Sequence, residues 1–302
     1  MRHTLITTTA AAAVALGLLA GCATNQAGQT DGTFATSPAA ARYEQLVTDI
    51  WGTSADRQLA DRLAHHRMQQ AIATCMRDAG HDYQPPAYQG IGGAAPIAIG
   101  DIDGVAPLGH DWGIAAGKIQ SATGVQQTRL AGGNPAGLAT GEAGKAYTAA
   151  MDKCQNAGDT FIANTYPTGV VDQSTSLENG LREVTGTEQY QQLDAEYLDC
   201  LGQTGIYVKS WAELHQQTVA RFPAVSTGVD ELRRLQPFLA ASEAEKVAAA
   251  ADAQCRSDLY AYTVTAIGPH IDRMRGEGGK ALAEVVNGWN TLRTEATAAG
   301  LN

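Results

Sequence analysis

The chain has 302 residues, 44% of them hydrophobic, and a formal net charge of −10 at pH 7. That balance disfavours nucleic acid, whose phosphates favour clustered Lys and Arg, and it disfavours adsorption to anionic lipid headgroups. The length allows one large domain or two small ones, and 15 Arg against 6 Lys with abundant Ala and Gly fits a high-GC bacterium.

Residues 1–21 have the form of a secretory signal. Arg2 supplies the positive start, Leu5 to Ala20 the apolar run, and Leu19-Ala20-Gly21-Cys22 a lipobox. The run is too short to span a bilayer, which takes about 20 apolar residues. Cleavage before Cys22 is expected, with diacylglycerol and palmitate-type acyl chains on the new terminus. Two chains anchor durably, because each buried methylene contributes about 0.8 kcal/mol. Residues 22–41 read as the lipidated Cys and a tether of Gly, Ala, Ser, Thr and Gln, too polar to fold. Such a linker reaches about 25 Å. The expected location is extracytoplasmic, on the cell membrane of a bacterium, and the membrane is the first expected partner.

Helix dominates beyond the tether. Ala40 to Ile50 and Ala55 to Ala79 are periodic, with Gly80 as a terminating residue. Residues 84–141 are the exception: a long Gly-rich irregular segment, read as an insertion inside a disulfide loop. Leu177 to Gly202 and Lys209 to Phe222 resume the helical pattern. Ser242-Glu-Ala-Glu245 reads as a capping box that opens a long helix to about Ile267, which Gly268-Pro269 interrupts. Leu282, Val285, Trp289, Leu292 and Ala296 form a packing seam at three-four spacing. No series of Val/Ile strands alternates with helices, which argues against a two-lobed α/β solute receptor feeding a transporter.

Besides Cys22 there are Cys75, Cys154, Cys200 and Cys255. An even count in an exported chain reads as disulfides. Each lies on an apolar stripe: Met68, Ile72, Cys75, Ala79; Tyr147, Met151, Cys154, Phe161; Tyr190, Leu193, Tyr197, Cys200; Val247, Ala251, Cys255, Leu259, Tyr262. An internal repeat relates them. Cys75-Met-Arg-Asp-Ala-Gly80 with Tyr83 echoes Cys200-Leu-Gly-Gln-Thr-Gly205 with Tyr207. Glu142-Ala143, Lys145, Ala149-Ala150 and Cys154 align without a gap onto Glu243-Ala244, Lys246, Ala250-Ala251 and Cys255. The duplication suggests Cys75–Cys154 and Cys200–Cys255, one per half, with pairing across the halves as the alternative.

The expectation is a mainly α, bundle-like body built by a degenerate duplication. A first half spans 42–170 and a second 171–302, together one compact unit. The pattern C-M-x-x-x-G-[HF]-x-Y-x-P-P from Cys75 to Pro86, then Cys154, Cys200 to Tyr207, and Ala251-Asp252-Ala253-Gln254-Cys255 resembles uncharacterised secreted proteins and lipoproteins of actinobacteria. The likeness spans most of residues 60–298, and Leu201 departs from the usual Met. It implies export and architecture, not an activity.

Chemistry-bearing motifs are sparse. Gly80-His81-Asp82-Tyr83 and Gly109-His110-Asp111-Trp112 echo each other, and His81, Asp82, His110 and Asp111 are the metal candidates. Turn chemistry explains them as well. Asp101-Ile-Asp103-Gly104 hints at calcium but lacks the EF-hand pattern. His65-His66 lacks H-E-x-x-H spacing, and no G-x-S-x-G or S-x-x-K occurs. Tyr260, Tyr262, Trp211 and Trp289 read as core, with a sugar- or peptide-binding surface as the alternative. No catalytic residue and no cofactor emerge. The favoured function is non-enzymatic binding of an envelope protein or polymer. The alternative is a wall-polymer hydrolase using carboxylates that no motif marks.

Overall fold

The computed structural model describes residues 37–86, 88, 103–105, 108–109, 112–119, 121–122, 141–162, 165–225 and 228–301. These residues are mainly helical and hold no strand. Their longer helices are α1 (Pro38–Trp51), α2 (Ser54–Asp78), α3 (Glu142–Ile162), α4 (Val170–Thr185), α5 (Glu188–Gln203), α6 (Trp211–Ala220), α7 (Gln236–Ala266), α8 (Gly268–Arg275) and α9 (Gly279–Ala298). The lipobox and Cys22 lie outside the described residues, as do His110 and Asp111. No described helix is long and apolar enough to cross a membrane.

Local chemistry sets the helix ends. The Ser37 hydroxyl accepts from the Ala40 amide at 3.1 Å, and Pro38 begins α1. Residues 38–41, expected in the tether, are therefore the first turn of α1, with Ala40 buried. Thr53 and Asp56 form a reciprocal capping box at the start of α2. The helical run expected from Leu177 to Gly202 breaks at Gly186-Thr187, where the Thr187 hydroxyl caps α5.

The two cysteine motifs close their helices in the same way. Gly80 and Gly205 adopt φ of +80° and +85°, a region that favours glycine. Just beyond them, the His81 amide donates to the Met76 carbonyl at 2.9 Å and the Ile206 amide to the Leu201 carbonyl at 3.0 Å. Such six-to-one bonds satisfy the last carbonyls of a helix. The disulfides pair Cys75 with Cys154 and Cys200 with Cys255, with Cα atoms 5.5 Å apart in each. Pairing across the halves does not occur.

One core runs from α1 to α9. Tyr43, Leu46 and Ile50 of α1 meet Leu177 and Leu181 of α4, Tyr197 and Leu201 of α5, Leu259 and Val264 of α7, and Val285 and Trp289 of α9. The seam expected on α9 is thus the packed face, and the Trp289 indole N–H donates to the Ile50 carbonyl at 3.0 Å. Helices α2 and α3 form a hairpin with its own small core of Ile72, Met76 and Cys154. It docks on α9 through Arg67–Glu295 at 2.9 Å and Arg293–Asp56 at 2.6 Å.

The long helix departs from its expected register. It opens at Gln236, with Pro in its first turn, rather than at Ser242. The Ser242 hydroxyl instead donates to the Phe238 carbonyl inside the helix. Its inward face is Glu245, Ala249, Asp252, Arg256, Leu259 and Thr263, at four-three-four-three-four spacing. Val247, expected inside, is 62% exposed. Ala79 is exposed too, and Met76 takes the core position on α2. Gly268-Pro269 interrupts the helix only slightly, because α8 begins there with Pro in its first turn.

Candidate functional site

Of the four metal candidates, His81 and Asp82 are described. His81 meets the Tyr147 ring edge-on at 5.5 Å, and Asp82 is exposed. No group of three His, Cys, Asp or Glu side chains among the described residues could hold a metal. The calcium hint at Asp101–Gly104 has a packing origin at its last residue. A Cβ on Gly104 would stand 2.3 Å from Thr263 Oγ1 and 2.8 Å from Tyr190 Cε2. The Gly104 amide also donates to the Tyr190 hydroxyl at 3.2 Å. Trp211 and Trp289 are buried. Tyr260 donates to Glu44 at 3.1 Å, and Tyr262 meets Thr187 at 2.9 Å. Those aromatics are core and its margin, not an open binding surface.

Among the described residues Asp56, Glu245 and Asp252 are the buried carboxylate side chains, and each is engaged. Glu245, 1% exposed, accepts from the amides of Trp112, Ile114 and Ala115 at 3.0, 2.8 and 3.0 Å. It thereby caps the helical turn at 114–119, offering a full negative charge to the exposed amides of a helix start. Part of the Gly-rich segment, which lies inside the Cys75–Cys154 loop, is therefore clamped onto α7 and takes a helical turn there. Asp252 accepts from Arg256 at 2.8 and 2.7 Å and from the Tyr197 hydroxyl at 2.9 Å. Arg256 also lies 5.9 Å from the Trp211 ring centre, within cation–π range. Asp56 holds Arg293 and caps Thr53. A two-carboxylate hydrolysis needs one free acid and one free base, and none of these three is free.

The surface beside the second cysteine motif differs. Gly205, Ile206 and Tyr207 face α6 and α7 across a recess of about 300 Å³, lined further by Leu214, Arg221 and Val247. Tyr207 is 81% exposed. The corresponding aromatic of the first motif, Tyr83, is half-buried and donates to Gln69 Oε1 at 2.6 Å. The second motif thus presents to solvent what the first spends inside the fold. Val247 adds a second large apolar group to the rim. The exposed Arg221 guanidinium has no partner among the described residues. An apolar recess with one free cation suits an apolar side chain next to an acidic group. Sequence spacing marks Tyr207 through the repeat. It does not mark Val247 or Arg221 as rim residues, because only the packing of the end of α6 beside α7 brings them together.

No protein-family model, curated protein or solved structure matches the chain.

Proposed function

We propose that the chain is a lipid-anchored, extracytoplasmic binding protein without catalytic chemistry. In this reading, lipid on Cys22 holds a duplicated helical body off the membrane of a high-GC bacterium. The recess at Tyr207 takes an acidic, apolar segment of an envelope protein. Exposure of Tyr207 where its counterpart Tyr83 is bonded internally is the observation that carries the binding role. The two disulfides fit an oxidising compartment.

A photo-reactive phenylalanine analogue at position 207, used in cells, tests this. The expected result is one discrete protein adduct whose linked peptide contains an acid beside a large apolar residue. Arg221→Glu should abolish it, and the same analogue at the exposed Val171 should not form it. Adducts that are indifferent to Arg221→Glu would sink the recess as the binding surface. Cys22→Ser should release the chain from membranes, and persistence in the membrane fraction would refute the anchor.

A further inference from the structure

Helix α2 carries Arg57, Asp61 and His65 at successive four-residue steps, so the three side chains share one face. All three are half-buried. The Tyr166 phenol lies within electrostatic reach of Arg57 and Asp61. Its ring stands edge-on to Trp51 at 6.3 Å and lies 5.8 Å from Trp289. The Tyr88 ring lies 5.4 Å from His65. A base, an acid and an imidazole therefore sit in one patch with two tyrosine rings.

Asp61 differs from Asp56, Glu245 and Asp252. Its carboxyl accepts no hydrogen bond among the described residues, although burial raises its pKa, with Arg57 opposing. Asp194 also has an unpartnered buried oxygen, but there burial is the cause of the raised pKa, without the opposing Arg that Asp61 has. A half-buried carboxyl that faces a cation but accepts no hydrogen bond is a cost to folding and a recurrent mark of binding sites. Burial also pushes the His65 imidazole down, toward its neutral form. With Arg57 and Asp61 opposed in sign, the patch is close to electroneutral and favours neither cation nor anion. Arg57 spends Nη1 on the Gly52 carbonyl at 2.8 Å, so the patch offers donors from its other guanidinium N–H groups, His65 and Tyr166 and acceptors from Asp61 and Tyr166, beside apolar ring surface.

We propose that this face of α2 binds the polyhydroxylated ring of a carbohydrate, with hydroxyls on Arg57, Asp61 and His65 and the apolar side of the sugar on Tyr166. The site is separate from the recess at Tyr207 and does not rest on it. Trp51 and Trp289 flank Tyr166, so their emission reports its occupation. The full chain in detergent would be titrated with N-acetylglucosamine oligomers and with maltose, and with choline chloride and inorganic phosphate as charged comparisons. A saturable change with either sugar is expected. Asp61→Asn should weaken it about tenfold, the worth of one charge-assisted hydrogen bond. Tyr166→Ala should remove it, and Tyr166→Phe, which keeps the ring, should weaken it less. Circular dichroism checks that each variant remains folded. No saturable change with either sugar, a response to choline or phosphate instead, or indifference to Asp61→Asn or Tyr166→Ala overturns the proposal.

Discussion

Glu245→Gln tests the clamp between α7 and the segment at 112–115. Glu245 is 1% exposed and accepts three amides, two at Oε1 and one at Oε2. Hydrogen bonds to a charged acceptor contribute about 1.5–3 kcal/mol each, against about 0.5–1.5 for neutral pairs. Glutamine keeps one carbonyl oxygen for Trp112 and Ile114 at the lower value. Its amide group must then face the Ala115 N–H, donor against donor. The expected loss is about 3 kcal/mol, a large part of the 5–15 kcal/mol typical of a folded domain. Urea unfolding measures the total through the midpoint at constant slope. Hydrogen exchange at the amides of Trp112, Ile114 and Ala115 localises it, with a rate increase of about a hundredfold expected. Glu243→Gln, two residues away and exposed, is the matched control and should stay within about 0.5 kcal/mol. If Glu245→Gln behaves like the control, or the three amides exchange no faster, the carboxylate is not holding the segment.

Hydrogen bonding from Arg293 holds the Asp56 carboxyl down, from 3.8 to about 2. A carboxyl lowered in the folded state stabilises above its unfolded pKa and loses that contribution as pH falls through the folded one. Melting temperature should therefore drop more steeply between about pH 4 and pH 2 in the native chain than in Asp56→Asn, and equal slopes would refute the ion pair's role. Gly104→Ala should cost about 1–3 kcal/mol by overpacking against Thr263 and Tyr190. Thr263→Ala in the same chain should restore part of that loss, as coupled neighbours do; purely additive urea midpoints would refute the close approach.

Much of the fold can be read from local pattern. The α9 seam and the end of α2 at Gly80 follow from spacing, because helix ends and core stripes are short-range features, and both disulfides are the pairings that the repeated motifs suggest, with pairing across the halves left open by sequence. The long helix shows where such reading fails. Ser242 and Glu245 satisfy a capping-box spacing, yet a helix interior can carry the same residues when the carboxylate has a better partner. That partner is a row of amides about 130 positions upstream, beyond any local window. The same helix hides its inner face. Asp252 and Arg256 at four-residue spacing look like a solvated pair, so counting apolar residues turns the helix toward Val247. The rim of the recess was illegible for that reason, and Tyr207 was visible only as half of a repeat. The α2 patch was illegible too, since nothing local says that Tyr166 comes to lie beside Arg57 and Asp61.

The pairing of Asp252 with Arg256 also constrains how this chain can change through descent. Both side chains are fully buried and four residues apart on one helix. Removing either alone strands a charge in the interior, at about 3–5 kcal/mol, whereas replacing both together with well-fitted apolar groups strands none and gives up mainly the Tyr197 hydrogen bond to Asp252. The two codons are locked together: a lineage can leave this state only by crossing a crippled intermediate or by altering both within a short interval. Exposed pairs such as Glu142 and Lys145 face no such barrier and are free to drift one at a time.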